Sequence, residues 1–327
     1  MPNEMVPVAV DLGYGAVKVV AGGRRHVFPA RYAPHASADE WGMGREAAMA
    51  LGGGEPFVAG QDADGLPGVR EPLADGRLAD PEALPLLAAA LWASGAEGDV
   101  VLGSGLPLAR FGLERDAARA ALQGRTLRIR RGRQEREVRI RRVVLRPQGV
   151  GAALHLVRAG LMPRQPGGLA VVVDVGQRTL DVLTVRLPDL VPVRELSTSA
   201  QVGVGDAVRE MAALLEREVG YMPPLDVAEA ALHGPVRLGD RVVAQDRRKA
   251  DAVRHALARR VADVVAQRLR GEAMRVVGVA FVGGGAHVVS SEAGGWPTIP
   301  VPVRDAQYAN ALGYLWAAET AARKGVA

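Results

Sequence analysis

The sequence predicts an α/β protein assembled from two related halves, and three observations carry that expectation. An apolar strand, a turn holding an aspartate and glycines, and a second apolar strand run through residues 6 to 20, VPVAVDLGYGAVKVV. The same device returns at residues 169 to 185, LAVVVDVGQRTLDVLTV. Around them β-branched runs alternate with helix-like stretches, and 327 residues suffice for about two domains.

In the first hairpin the strand reaches Asp11, turns through Gly13, Tyr14 and Gly15, and resumes at Val17, with Lys18 just behind the turn. Residues 22 to 80, rich in glycine, alanine and proline, read as a small loop-rich subdomain. Asp80 and Pro81 then supply an N-cap and a first-turn proline for a helix from Glu82 to Ala93. Asp99 to Gly103 reads as a buried strand, and Glu114 to Gln123 as a helix. TLRIRRG and REVRIRR alternate apolar and basic residues about Gly132, as a hairpin with one solvated face does. Arg146-Pro147-Gln148 opens a helix over Gly151 to Ala159 that links the halves.

The second hairpin turns at Gly176 between the runs Val171 to Val173 and Leu183 to Val185. Gly203-Val204-Gly205 precedes a helix from Asp206 to Glu218. Those glycines either let a backbone approach a ribose or phosphate, or mark a helix start with Asp206 as N-cap. Past the proline-rich break at Met222 to Pro224, a helix from about Asp246 to Arg270 places Val253, Leu257, Val261, Val264, Val265 and Leu269 on one face. Val276 to Val282 is a strand, turned by Gly283-Gly284-Gly285-Ala286 into the next element, with His287 read as a loop residue rather than a catalyst. Ala306 to Arg323 closes the chain as a helix.

The chemistry follows from the turns. A tight glycine turn exposes successive N–H groups, a concavity that attracts phosphate oxygens. Carboxylates beside it, Asp174 and Asp181 in the second hairpin, repel an anion unless a hard cation such as Mg²⁺ lies between. One such hairpin is an ordinary turn; a pair suggests two halves facing one nucleotide.

The two hairpins and the later glycine triplet, in that order, resemble the actin-like ATPase superfamily. Within it the chain is most similar to the prokaryotic plasmid-segregating actins of the ParM type and their archaeal actin-like relatives. GLPLARF at 105 to 111, LRPQGVGAAL at 145 to 154 and QYANALGYL at 307 to 315 also fall where that group has similar segments, while 35 to 80 matches little. The resemblance implies a ribonuclease H-like fold of two domains, each a mixed sheet with flanking helices and a smaller inserted subdomain, with nucleotide in the interdomain cleft. Residues 1–160, with a subdomain near 22–80 and the C-terminal helix 306–327, form the first domain. Residues 161–305, with a subdomain near 206–270, form the second.

On that resemblance the phosphates lie against Gly13, Tyr14, Gly15 and Lys18, and against Gly176, Gln177, Arg178, Thr179 and Asp181. Gly203, Gly205, Gly283, Gly284, Gly285 and Ala286 approach the nucleoside. Asp11 and Asp174 hold Mg²⁺ mostly through its waters, and Gln148 orients the attacking water, so hydrolysis is slow. Tyr14 departs from the pattern, standing where a small hydroxyl residue is frequent, and Gln177 and Arg178 replace smaller residues. ATP is expected, with GTP left open. The function implied is a nucleotide-dependent polymerising ATPase whose head-to-tail filament segregates plasmid or other DNA through a ParR-type DNA-binding adaptor. A non-polymerising scaffold or chaperone reactivator and a sugar-kinase-branch phosphotransferase are the rivals; the latter needs a carboxylate base where Gln148 stands.

Composition narrows the setting. With 48% hydrophobic and 24% charged residues and no run near the ~20 apolar residues of a membrane span, a cytoplasmic protein without a membrane partner is expected. The absence of cysteine removes disulfides and thiolate metal sites, so zinc is not expected. Ten arginines against two glutamates give residues 125–146 a charge of +8, leaving −3 for the rest of a chain at +5. That segment reads as the wet face of a hairpin, a subunit contact, or a surface for direct DNA contact, a minor addition.

Overall fold

The chain, a computed structural model, divides into two units: Met1–Arg158 with Tyr308–Ala327, and Ala159–Gln307. The structure describes residues 5–35, 48–72, 78–163, 165–239, 241–243, 247–290, 296–298 and 300–324.

Within the first unit, nine strands form one sheet among the described residues. They are β1 (Val6–Leu12), β2 (Ala16–Ala21), β3 (Arg24–Pro29), β4 (Tyr32–Pro34), β5 (Met49–Leu51), β6 (Phe57–Ala59), β7 (Gly98–Leu106), β8 (Thr126–Arg131) and β9 (Gln134–Pro147). Their order is β3-β2-β1-β7-β9-β8-β5-β6-β4, and β1, β7 and β9 run parallel, so all three end at the same edge. The segment expected to stand apart as a loop-rich subdomain instead adds β3 through β6 to this sheet; its residues 36–47 and 73–77 lie outside the described ones.

Alternation along the parallel strands sends side chains to two faces, both covered. Val8, Val10, Val100 and Leu102 bury against Leu86, Leu87 and Leu91 of α1 (Leu84–Ser94). Asp80 accepts from the Glu82 N–H at 2.9 Å, as an N-cap should, but the first turn is 3₁₀ over Pro81–Ala83. On the other face Val101 packs on Ala318 and Ala321 of the C-terminal helix, Ala309–Lys324. Helix α2 (Phe111–Leu122) and α3 (Val150–Arg158) complete the unit. Glycine makes that second contact feasible: a methyl at Gly103 or Gly105 of β7 would fall on Tyr314, and one at Gly313 on the Gly151 carbonyl.

The second unit repeats the plan on a smaller sheet of β10 (Leu169–Val175), β11 (Leu180–Arg186), β12 (Val191–Pro192), β13 (Thr198–Ala200) and β16 (Val276–Val282). A separate hairpin pairs β14 (Val236–Leu238) with β15 (Arg241–Val243). Strand β10 is antiparallel to β11 and parallel to β16. One face of β10, with Val171, Val173 and Val175, shares a core with Met211 and Leu215 of α4 (Val204–Val219), Ala228 of α5 (Leu225–Ala231) and Leu257 and Val261 of α6 (Arg247–Arg268). The helices expected in a subdomain at 206–270 are therefore continuous with the core of the sheet. On α6 the predicted apolar face is the buried one, with Val264 at its margin; Asp246, its expected start, lies outside the described residues.

Candidate functional site: two equivalent hairpin turns

The two hairpins are built alike down to single hydrogen bonds. The Gly13 N–H donates to Ala16 O at 3.1 Å, and the Gly176 N–H to Thr179 O at 2.9 Å. An added Cβ at Gly13 would lie 2.8 Å from that carbonyl oxygen, and at Gly176 3.0 Å, which is why each aspartate is followed two residues later by glycine. Register is equivalent too, because Asp11 faces Lys18 across its hairpin and Asp174 faces Asp181. Each aspartate sits where a strand of a parallel ladder ends, the edge at which open α/β sheets take ligands.

The seventh position after each aspartate makes the turns electrostatically different. In the first, Lys18 Nζ lies 3.2 Å from Asp11 Oδ2, with both side chains nearly buried. Asp11 Oδ1 is buried without a hydrogen-bond partner among the described residues, an open acceptor beside the turn. In the second, Asp181 is 4% exposed, and burial pushes its carboxyl above the usual carboxylate range, partly offset by a hydrogen bond from the Ser199 hydroxyl. Burial thus disfavours the charged form of Asp181, and the two carboxylates of this hairpin differ in setting: Asp181 is buried and Asp174 half-buried.

Three separate segments meet at the second turn. The N–H groups of Val204 and Gly205 donate to the Gly176 and Gln177 carbonyls at 3.0 and 2.8 Å, and Gly285 N–H donates to Val175 O at 2.9 Å. A Cβ at Gly203 would stand 2.5 Å from Gln177 O. Gly283 adopts a left-handed φ of +86°, and a side chain there would fall on the Asp174 carboxylate. Gln177, Arg178, Thr179, Gly203, Gly205 and Gly283 to Ala286 are thus gathered around one strand end. Helix α4 begins at Val204, not Asp206; the Asp206 carboxylate instead accepts from the Gly203 N–H at 3.3 Å and pairs with Arg209 and Arg260. His287 lies in a short helix, α7 (Ala286–Ser290), rather than a loop.

In the first unit Gln148 follows β9 at the edge where Asp11 ends β1, with its N–H on Leu106 O at 2.8 Å. Its turn is fixed by a residue that sequence reasoning missed. Buried Asn310, in the C-terminal helix, accepts through Oδ1 from the Gly149 N–H at 3.0 Å and the Ala152 N–H at 3.1 Å, capping α3. The available signal was an amide residue inside the apolar QYANALGYL segment.

The arginine-rich strands prove to be occupied within their own unit. Arg139 and Arg141 converge on Asp99 at 2.7 and 3.0 Å, and bonding by Arg141 first, then Arg139, holds that carboxyl below its usual range. Arg128 pairs with Glu137, Arg136 lies 4.1 Å over the Trp92 ring, and Arg142 donates to Ala321 O. Arg136 and Arg142 thereby tie β9 to α1 and to the C-terminal helix.

Among the described residues no group of three or more His, Cys, Asp or Glu side chains is placed to hold a metal ion. Asp11 and Asp174 still suit Mg²⁺, which keeps most of its waters and needs few protein oxygens: both are hard donors, and the open Asp11 Oδ1 is such an acceptor. No described helix is long and apolar enough to cross a membrane.

Comparisons with known proteins match both units. Residues 9–151 fit the family model of the actin-like proteins' N-terminal domain, and residues 172–293 that of the archaeal actin homologue MreB-like C-terminal domain. Archaeal actin homologues of Thermoplasma volcanium and Thermoplasma acidophilum are each 41% identical, over 96% of this chain and 99% of theirs. Among solved structures, an archaeal actin homologue in complex with ADP superimposes with a TM-score of 0.86 at 41% identity, over 97% of this chain and 100% of that one. A 15-stranded ParM filament from Clostridium botulinum shares the fold, with a TM-score of 0.81 at 18% identity over 97% and 99%.

Proposed function

The chain belongs to the archaeal actin homologues of the actin-like superfamily and has their two-domain α/β fold, and from that premise we propose that it is a polymerising ATPase that binds one nucleotide with both hairpin turns. The observation that carries this reading is the equivalent closing bond of the turns at Gly13 and Gly176, each a glycine turn next to an aspartate, the kind of turn that attracts phosphate oxygens. An ADP complex of a 41% identical relative supports a nucleotide as the ligand.

Phosphoryl transfer to water asks a protein chiefly to hold phosphates, offset charge and place a water in line. Backbone N–H groups of the two turns hold the phosphates, with Lys18 as a point charge shared with Asp11. Asp11 and Asp174 hold Mg²⁺ through water, and the ion when bound offsets charge on the phosphate oxygens. Gln148, its turn anchored by Asn310, orients the water; an amide is a weak base, so turnover is slow. ATP is the expected triphosphate, and GTP enters the same experiments as the comparison.

Subunits adding head to tail form a filament because such a contact repeats without closing. Nucleotide state shifts the equilibrium between subunit conformations and so subunit affinity. Plasmid or other DNA segregation, a ParR-type adaptor and a cytoplasmic setting belong to this proposal, on the resemblance of residues 105–111, 145–154 and 307–315. Direct DNA contact through residues 125–146 is a minor part of it, resting on their charge of +8. Light scattering after addition of ATP and magnesium is expected to rise above a critical protein concentration and decay with hydrolysis. A flat trace across the accessible concentrations would refute polymerisation.

A further inference from the structure

We propose that His233 and His287 form a binding site for a divalent transition metal ion, with zinc the simplest occupant. His233 follows α5, and His287 is the second residue of α7, immediately beyond the glycine turn. Their Nε2 atoms lie 3.4 Å apart, with ring centroids 5.0 Å apart and planes inclined by 31°. Two imidazole nitrogens on one tetrahedral zinc, at ~2.0–2.1 Å each, stand about 3.4 Å from one another, and their ring centres about 5.2 Å. Both separations in the protein are close to these values, and the rings are tilted rather than stacked face to face.

The surroundings suit a cation bound by neutral imidazoles. Both rings are exposed, so an ion reaches them from solvent and water completes its coordination. Arg254 is the neighbouring fixed cation, and its charge is largely offset: it donates to Leu232 O at 2.7 Å and pairs with Asp251. Lack of cysteine excludes thiolate zinc sites only; imidazole suits zinc, copper and nickel. A bound ion ties the end of α5 to the start of α7, directly behind Gly283 to Ala286.

Isothermal calorimetry with zinc chloride alone, on the full chain without nucleotide in a non-coordinating buffer, tests this. Expected is one zinc per chain, with affinity at least about tenfold weaker in His233→Asn and in His287→Asn and unchanged in the His255→Asn control. Cobalt(II) in place of zinc is expected to give visible d–d absorption in the wild type that both variants lose. The variants should melt as the wild type does without metal, and zinc should raise the melting temperature of the wild type only. No uptake, or uptake that neither substitution weakens, would overturn the site.

Discussion

Asn310 offers the sharpest mutational test of how the C-terminal helix builds the functional edge of the first unit. Asn310→Ala removes the one oxygen that accepts from both Gly149 and Ala152, two buried N–H groups at 3.0 and 3.1 Å. A buried donor left unsatisfied costs about 1–3 kcal/mol, and loss of a helix N-cap about 0.5–2 kcal/mol. Because both bonds share one acceptor and one helix end, these figures overlap rather than add. Alanine's better helix propensity returns at most ~0.7 kcal/mol. The expected net loss is therefore about 1–2 kcal/mol, read from the urea midpoint of the first unit, with faster exchange of the Gly149 and Ala152 amides. Hydrolysis should fall more than nucleotide affinity, because Gln148 adjoins the loosened turn while the hairpin turns keep their bonds. A loss below about 0.5 kcal/mol with unchanged exchange would refute the capping role.

Two further substitutions probe each unit separately. Asp181 binds its proton more tightly folded than unfolded, so stability is fully present below the unfolded carboxylate pKa and declines as pH rises from there to the raised folded value. Asp181→Asn should accordingly raise the melting temperature at pH 7 in the absence of nucleotide and leave it unchanged near pH 3; no difference between those pH values would show that burial does not raise the carboxyl's pKa. Gly313→Ala sets a methyl against the Gly151 carbonyl, an overpacking cost of about 1–3 kcal/mol that exceeds the roughly 1 kcal/mol gained in helix propensity. Thermal melting should therefore show a loss, and a gain would mean that the two backbones are not in contact.

Local pattern made the strands and the glycine turns legible. Val276–Val282 is a strand over the very residues that β-branching marks, and the spacing of α6 identifies its buried face. The actin-like fold was readable because the hairpins, the glycine triplet and their order all occur in one chain. Features that depend on long-range partners were not. Nothing local tells that Asn310 meets Gly149 some 160 residues earlier, or that Asp181, opposite Asp174, is buried and bonded by Ser199. Nor could alternation alone reveal that the arginines of β8 and β9 find Asp99, Glu137 and Trp92, or that short strands between 24 and 59 would extend the main sheet. Helix α4 starts two residues before Asp206, whose carboxylate reaches back to the Gly203 N–H, and α1 becomes α-helical only at Leu84 because the turn that Asp80 caps is 3₁₀.

Calorimetric titration of ATP with magnesium into the wild type, Gly13→Ala and Gly176→Ala reaches the central claim most directly. The account predicts one ATP per chain, weakened by either methyl, since each crowds the carbonyl that closes its own turn. Absence of binding, or a single ATP whose affinity responds to only one of the two turns, would contradict it.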